Sequence, residues 1–289
     1  MLFTWKENTH MDLHAFAERL KERRDTHALG PQIKESTREF VENLLALLFP
    51  HFCKEHFSDV REIAARLTLL QRDLATLITP FLQETGGDPH RVARDFVESL
   101  PVVHDQLWMD AEAILDGDPA AESLDEVMLA YPGFTAIAIY RFAHELHKLK
   151  IPVFPRLVTE YAHQVTGVDI HPGANIGTPF AIDHGTGIVI GESCIIGSNV
   201  KIYQGVTLGA LSVEKRMAKV KRHPTIEDNV VIYAQAVILG GTTRVGHHSI
   251  IGGNVWLTES VPAYSFVHVE HDTLVRQQAD RDADVSFVI

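Results

Sequence analysis

Residues 168–209 read VDIHPGANIGTPFAIDHGTGIVIGESCIIGSNVKIYQGVTLG, and their aliphatic spacing decides the fold. Ile170, Ile176, Ile182, Ile188, Cys194, Val200 and Val206 recur every six residues. A second comb, Ile190, Ile196, Ile202 and Leu208, runs two residues behind the first. An offset of two turns alternate side chains of a short strand the same way, whereas a period of six does not fit the 3.6-residue turn of a helix. The β-branched content agrees with strands. Six-residue repeats with glycine and polar residues at the corners are the signature of a parallel β-helix, in which stacked rungs bury a continuous aliphatic column. Cys194 occupies a column position and therefore reads as a small buried apolar residue, not a reactive thiol.

The pattern extends outward in both directions. Downstream it resumes at Ile226, Ile232 and Ile238, then slips by one residue to Val245, Ile251 and Leu257, which predicts a bulged corner at Gly240-Gly241-Thr242-Thr243. Between Gly209 and Thr225 the period is absent, so that segment should leave the side of the prism as a loop, the usual place for function. Upstream the character changes. Only five glycines precede residue 160, while fourteen lie between Gly167 and Gly253. Ile63, Leu67, Leu70, Leu74 and Leu77 form the stripe of an amphipathic helix, with Ser58 or Asp59 as its cap. Glu42 to Phe49 is helix-compatible, Ser123-Leu124-Asp125-Glu126 has capping-box form, and a further helix is predicted from Phe134 to about Leu149, after a break at Pro132-Gly133.

Composition narrows the function. The 289 residues, 45% hydrophobic and 22% charged, are those of a globular protein with a net charge of −12. That field repels phosphate backbones and anionic membranes, so neither nucleic-acid nor membrane binding is expected. No apolar run reaches the length of a membrane helix and no export signal is evident, which reads as a cytoplasmic protein. Two distant cysteines suggest neither a disulfide framework nor a cysteine-rich metal site. Against this acidic background, Lys215, Arg216, Lys219, Lys221 and Arg222 face only Glu214 within residues 213–222, a basic island suited to a small anionic ligand.

Several motifs carry a resemblance. Val168-Asp169-Ile170-His171-Pro172, the run from Ile182-Asp183-His184-Gly185-Thr186-Gly187 to Glu192, Gln204-Gly205-Val206-Thr207-Leu208-Gly209, and Arg222-His223-Pro224-Thr225-Ile226 resemble the core of serine O-acetyltransferases. Asp118-Pro119-Ala120, Gly133-Phe134, Tyr140-Arg141 and His144 resemble that family's helical part, so the likeness spans about Asp116 to Pro262. It implies an α+β fold: a helical N-terminal domain (1–165), a left-handed parallel β-helix (166–270) with its excursion at 209–225, and a flexible tail (271–289). It further implies trimers or dimers of trimers.

The same resemblance implies the chemistry. Acetyl would pass from acetyl-CoA to the hydroxyl of L-serine, opening cysteine biosynthesis, with cysteine as feedback inhibitor and no metal. His184 would be the general base and Asp169 its orienter. With residues 18 apart stacking, the 15 between these two would place a carboxylate near an imidazole, an arrangement that fixes the tautomer of a base. Arg222 and His223 match the carboxylate-binding pair, and Asp118 and Asp183 match acidic positions suited to an ammonium. Gly209, Ala210, Ala234 and Gly253 are small corner residues fitting a close approach of CoA, with Lys215, Lys219 and Lys221 near its phosphates. The terminal Ile289 behind an acidic lead-in resembles the tail that docks into O-acetylserine sulfhydrylase. Two departures stand out: Ala210-Leu211-Ser212-Val213 replaces the family's glycine-rich excursion, and Phe266-Val267-His268-Val269-Glu270 replaces a Gly-x-Pro-Ala element. Other readings are a hexapeptide acyltransferase for homoserine or a sugar, and a non-catalytic scaffold that binds the sulfhydrylase.

Overall fold

A computed structural model of the chain describes residues 12–26, 29–30, 32–54, 57, 59–83, 85–211 and 220–270. Its described helices are α1 (Leu13–Thr26), α2 (Gln32–Leu48), α3 (Val60–Leu82), α4 (Pro89–Gly117), α5 (Leu124–Ala130), α6 (Pro132–Lys148) and α7 (Phe154–Thr166). None of the described helices is long and apolar enough to cross a membrane.

Local chemistry explains their ends. Asp59 caps α3 by accepting from the Arg61 N–H, and Asp88 caps α4 likewise from His90. Ser123 accepts from the Glu126 N–H, as its capping-box form implies. The expected break falls at Tyr131, which ends α5 and caps α6, and Pro132 itself opens α6 two residues before the expected Phe134, where a missing N–H costs nothing and a fixed φ suits the first turn. The α3 stripe buries Leu70, Leu74 and Ile78, whereas Ile63 remains exposed. Gly133 is needed for packing: a Cβ there would lie 2.3 Å from the Ile182 carbonyl oxygen, so only glycine lets α6 approach the backbone of the strand ending in Asp183.

The rest is a solenoid of short parallel strands. In chain order these are β1 (Asp169–Ile170), β2 (Asn175–Ile176), β3 (Phe180–Asp183), β4 (Val189–Ile190), β5 (Ile195–Ile196), β6 (Val200–Tyr203) and β7 (Thr207–Gly209). They continue as β8 (Thr225–Ile226), β9 (Val231–Ile232), β10 (Val237–Leu239), β11 (Arg244–Val245), β12 (Ile250–Ile251), β13 (Trp256–Leu257) and β14 (Phe266–Val267). Three faces result: β1-β4-β7-β10-β13, then β2-β5-β8-β11, then β3-β6-β9-β12-β14. Three columns fill the prism: Ile170, Ile190, Leu208 and Ile238; Ile176, Ile196, Ile226 and Val245; Ile182, Ile202, Ile232 and Ile251. Every one of these side chains is buried, each contributing about 1.5–3 kcal/mol relative to exposure.

The register corrects the assumption of a fixed 18-residue coil. Asp169 pairs with Val189, Val189 with Thr207, Thr207 with Val237 and Val237 with Trp256, which are steps of 20, 18, 30 and 19 residues. Ile170 therefore stacks on Ile190 of the second comb, not on Ile188. The step of 30 contains the excursion expected at 209–225. The extra residue of the last step falls at the turn where Gly240 takes φ +106° and Thr243 N–H bonds to its carbonyl, the corner expected from the slip. The surplus of the first step lies elsewhere. Asp183 pairs with Tyr203 and Val189 with Thr207, so residues 184–188 occupy a corner that residues 204–206 turn in the next coil. His184 sits in that longer corner with φ +56°, between the third face and the first.

Candidate active site

The longer corner puts His184 outside the prism, its side chain 72% exposed. A non-glycine residue in the left-handed region is uncommon, and such strain concentrates at functional positions. The neighbouring Gly185 (φ +93°) and Gly187 (φ +81°) supply the remaining freedom. Around His184 stand groups from three elements. Asp183, the last residue of β3, has Oδ1 3.7 Å from His184 Nε2. Asp118, capping the C-terminal end of α4, accepts from the Tyr131 hydroxyl at 2.7 Å and from the Ala120 N–H at 2.9 Å. Those hydrogen bonds, with the positive charge of Lys201 and the neighbouring His184, hold its carboxyl below the usual range. The Tyr131 hydroxyl is pushed up to about 12 by the bond to Asp118 and stays neutral. Lys201 of β6 lies 2.8 Å from Asp183 Oδ2. The structure thus brings Asp118, Asp183 and His184 together, and adds Tyr131 and Lys201, which belong to no motif. Their signal was positional: Lys201 sits beside Ala181 across the β3–β6 pair, two residues before the partner of Asp183.

The expected contact between Asp169 and His184 is not formed in the single chain. Asp169 opens β1 and its carboxylate is 3.2 Å from Arg156 Nη1 of α7. With a first coil of 20 residues and His184 in the lengthened corner, a separation of 15 no longer implies adjacency. Arg156 also pairs with Glu160. Glu160, His163 and Asp169 bring ligand atoms within 4.8 Å of one another, and the Arg156 cation is already paired with both carboxylates of that group.

Arg222 and His223 lie on another edge, between the first and second faces. They precede β8 and pack on the Gly191–Ser193 turn that links β4 to β5. The Ser193 N–H donates to His223 Nδ1 at 3.0 Å, which leaves the ring proton on Nε2. Nε2 faces Gly191, where any Cβ would lie 2.2 Å away. Burial, reinforced by the Arg222 charge, pushes His223 down to about 4, so it is neutral at pH 7. Arg222 pairs with Glu192. His171, pushed down to about 4 by burial, contacts His147 nearby, and a 460 Å³ cavity runs between His147, Glu192 and Arg222.

The four small corner residues divide in the same way. Ala234 and Gly253 stack on the His184 edge, where a Gly253 Cβ would stand 3.2 Å from the Ala234 carbonyl. Gly209 and Ala210 leave β7 on the Arg222 edge. Lys221 does not face outward for phosphate: Nζ donates to the carbonyls of Ser193, His223 and Pro224 and ties down the base of the loop. Lys215, Lys219 and the tail ending in Ile289 lie outside the described residues. Cys194 is buried, its thiol pushed up to about 12, as its column position implies.

No family model matches the sequence. The chain is 54% identical over 177 residues to the "Serine acetyltransferase, plasmid" of Synechococcus elongatus, covering 60% of this chain and 55% of that one; it therefore spans about half the length of that relative. It is 48% identical over 161 residues to a serine acetyltransferase of Bacillus subtilis, covering 56% of this chain and 72% of the relative. Among solved structures it is similar to serine acetyltransferase isoform 3 of Entamoeba histolytica in complex with cysteine, with a TM-score of 0.73 and 35% identity over 83% of this chain and 84% of that one. Sequence identity at this level, over most of two such chains and on the same helical layer and solenoid, places the protein in the serine acetyltransferase family.

Proposed function

We propose that the chain transfers the acetyl group of acetyl-CoA to the hydroxyl of L-serine, giving O-acetylserine and CoA. The observation that carries this reading is the meeting of an exposed imidazole, His184, with two carboxylates, Asp118 and Asp183, at one edge. His184 takes the hydroxyl proton, the serine oxygen attacks the thioester carbonyl, and the imidazolium returns the proton to the departing thiolate. The carboxylates suit the acceptor's ammonium. CoA-thiol release is the test: L-serine should exceed homoserine and sugar acceptors at least tenfold. Release with those acceptors but none with L-serine would overturn the reading.

An α-amino acid also presents a carboxylate, and Arg222 and His223 suit it, yet in one chain they stand on a different edge from His184. CoA-facing corners split along the same line. We infer that two copies meet edge to edge, His184 of one copy facing Arg222 and His223 of the next, as in a trimer. His184→Ala and Arg222→Ala, each inactive alone, should recover activity when co-expressed, because a mixed assembly contains one intact pairing of edges. Absence of recovery in proven mixed assemblies would locate the whole site within one chain.

A further inference from the structure

The His184 edge holds one charged group that the proposed reaction leaves without a task. The Lys201 side chain is 16% exposed. Its Nζ lies 2.8 Å from Asp183 Oδ2, donates to the Gly117 carbonyl at 2.7 Å, and stands 4.5 Å from the centroid of the Tyr203 ring. Gly117 is the last residue of α4, whose C-terminal carbonyls favour a cation, and the ring face adds attraction. Burial alone would pull the ammonium down, but its bond to Asp183 holds it above the ordinary lysine range. Lys201 is thus a fixed cation between the residue preceding Asp118 and the carboxylate preceding His184.

The charges decide its role. Facing the edge are Asp118, Asp183, Lys201, the neutral Tyr131 hydroxyl and His184. With a neutral imidazole the set carries one negative charge; without the lysine it would carry two. We propose that Lys201 is a positioning and specificity-determining residue: it holds Asp183 as a neutralised pair, so that an acceptor's ammonium must compete for Asp183 and is read chiefly by Asp118. The lysine also keeps Asp183 beyond hydrogen-bond reach of His184 Nε2, leaving that nitrogen to the acceptor hydroxyl. This inference rests on the acceptor being an amino acid, as proposed above.

The test compares the full-length assembled enzyme with Lys201→Met, which keeps length without charge, Lys201→Gln, and Lys201→Arg. Removing a competing cation should lower KM for L-serine about three- to tenfold at low salt, and the difference should shrink as salt rises. KM for acetyl-CoA should not move, and Lys201→Arg should retain the parental KM for serine. A merely structural role would instead raise KM and lower kcat together. The inference is overturned if a folded Met or Gln variant of a serine-active parent shows an unchanged or raised KM for serine. A parent that releases no CoA with L-serine would overturn the proposed function, and this inference with it.

Discussion

His184→Ala should lower CoA release with L-serine by about 10² to 10⁴-fold, the range supplied by a positioned general base. The side chain stands outside the prism and is mostly exposed, so the loss belongs to the reaction and not to the fold. Alanine at φ +56° adds a backbone cost of about 1 kcal/mol, confined to an exposed corner. His184→Asn removes the base while tolerating the left-handed backbone, and should be as inactive as the alanine variant. Steady-state rates with unchanged circular dichroism and melting temperature check both. Activity within tenfold of the parent would mean that another group takes the proton.

Arg141→Met should have the largest effect on stability. Asp110 of α4 is fully buried and Arg141 of α6 nearly so. Arg141 Nε and Nη2 grip the two carboxylate oxygens, Nη2 also donates to the Gly177 carbonyl at 3.0 Å, and the Phe180 N–H donates to Asp110 Oδ1 at 2.8 Å. Burial pushes the Asp110 carboxyl above its usual range, and the guanidinium pulls against that shift. Removing the arginine alone leaves a buried carboxylate without its counter-charge, a loss of about 3–5 kcal/mol. In a chain of this size that lowers the melting temperature by roughly 10 °C, measurable by calorimetry. Replacing both partners, Asp110→Leu with Arg141→Met, should recover much of the loss, since the penalty comes from the unpaired charge. A single variant melting within 2 °C of the parent would show that the pair contributes little.

The solenoid was legible because its core obeys a period: Ile182 or Ile232 must face inward whatever the corners do. Stacking order was less so, since it depends on corner lengths, and only pairing revealed that Ile170 meets Ile190. His184 and Asp183 were identifiable from a dense motif, whereas Lys201 is an ordinary outward residue of a strand until the fold carries Gly117 to it across 84 positions. Arg222 and His223 stand out in the sequence at the end of the excursion, but the edge they occupy is set by the 30-residue step that contains it. Proximity of Asp169 to His184 was expected from a coil length that the first coil does not have. The long helix α4 carries a regular stripe of its own, Ala93, Phe96, Leu100, Val103, Leu107, Ala111 and Ile114 at steps of three and four, but Pro101 and the buried Asp110 interrupt it as a sequence signal.

The unequal steps of the solenoid have a broader consequence. Its strands keep the same pairs of inward side chains whether a coil takes 18, 19, 20 or 30 residues, since every surplus residue is absorbed at an edge. The interior and the rim are therefore separately editable. A corner can gain two residues and lift an imidazole out of the wall, or gain twelve and build a loop, while the packing beneath is unchanged. New chemistry on such a scaffold requires only a change of length at a vertex, without redesign of the core.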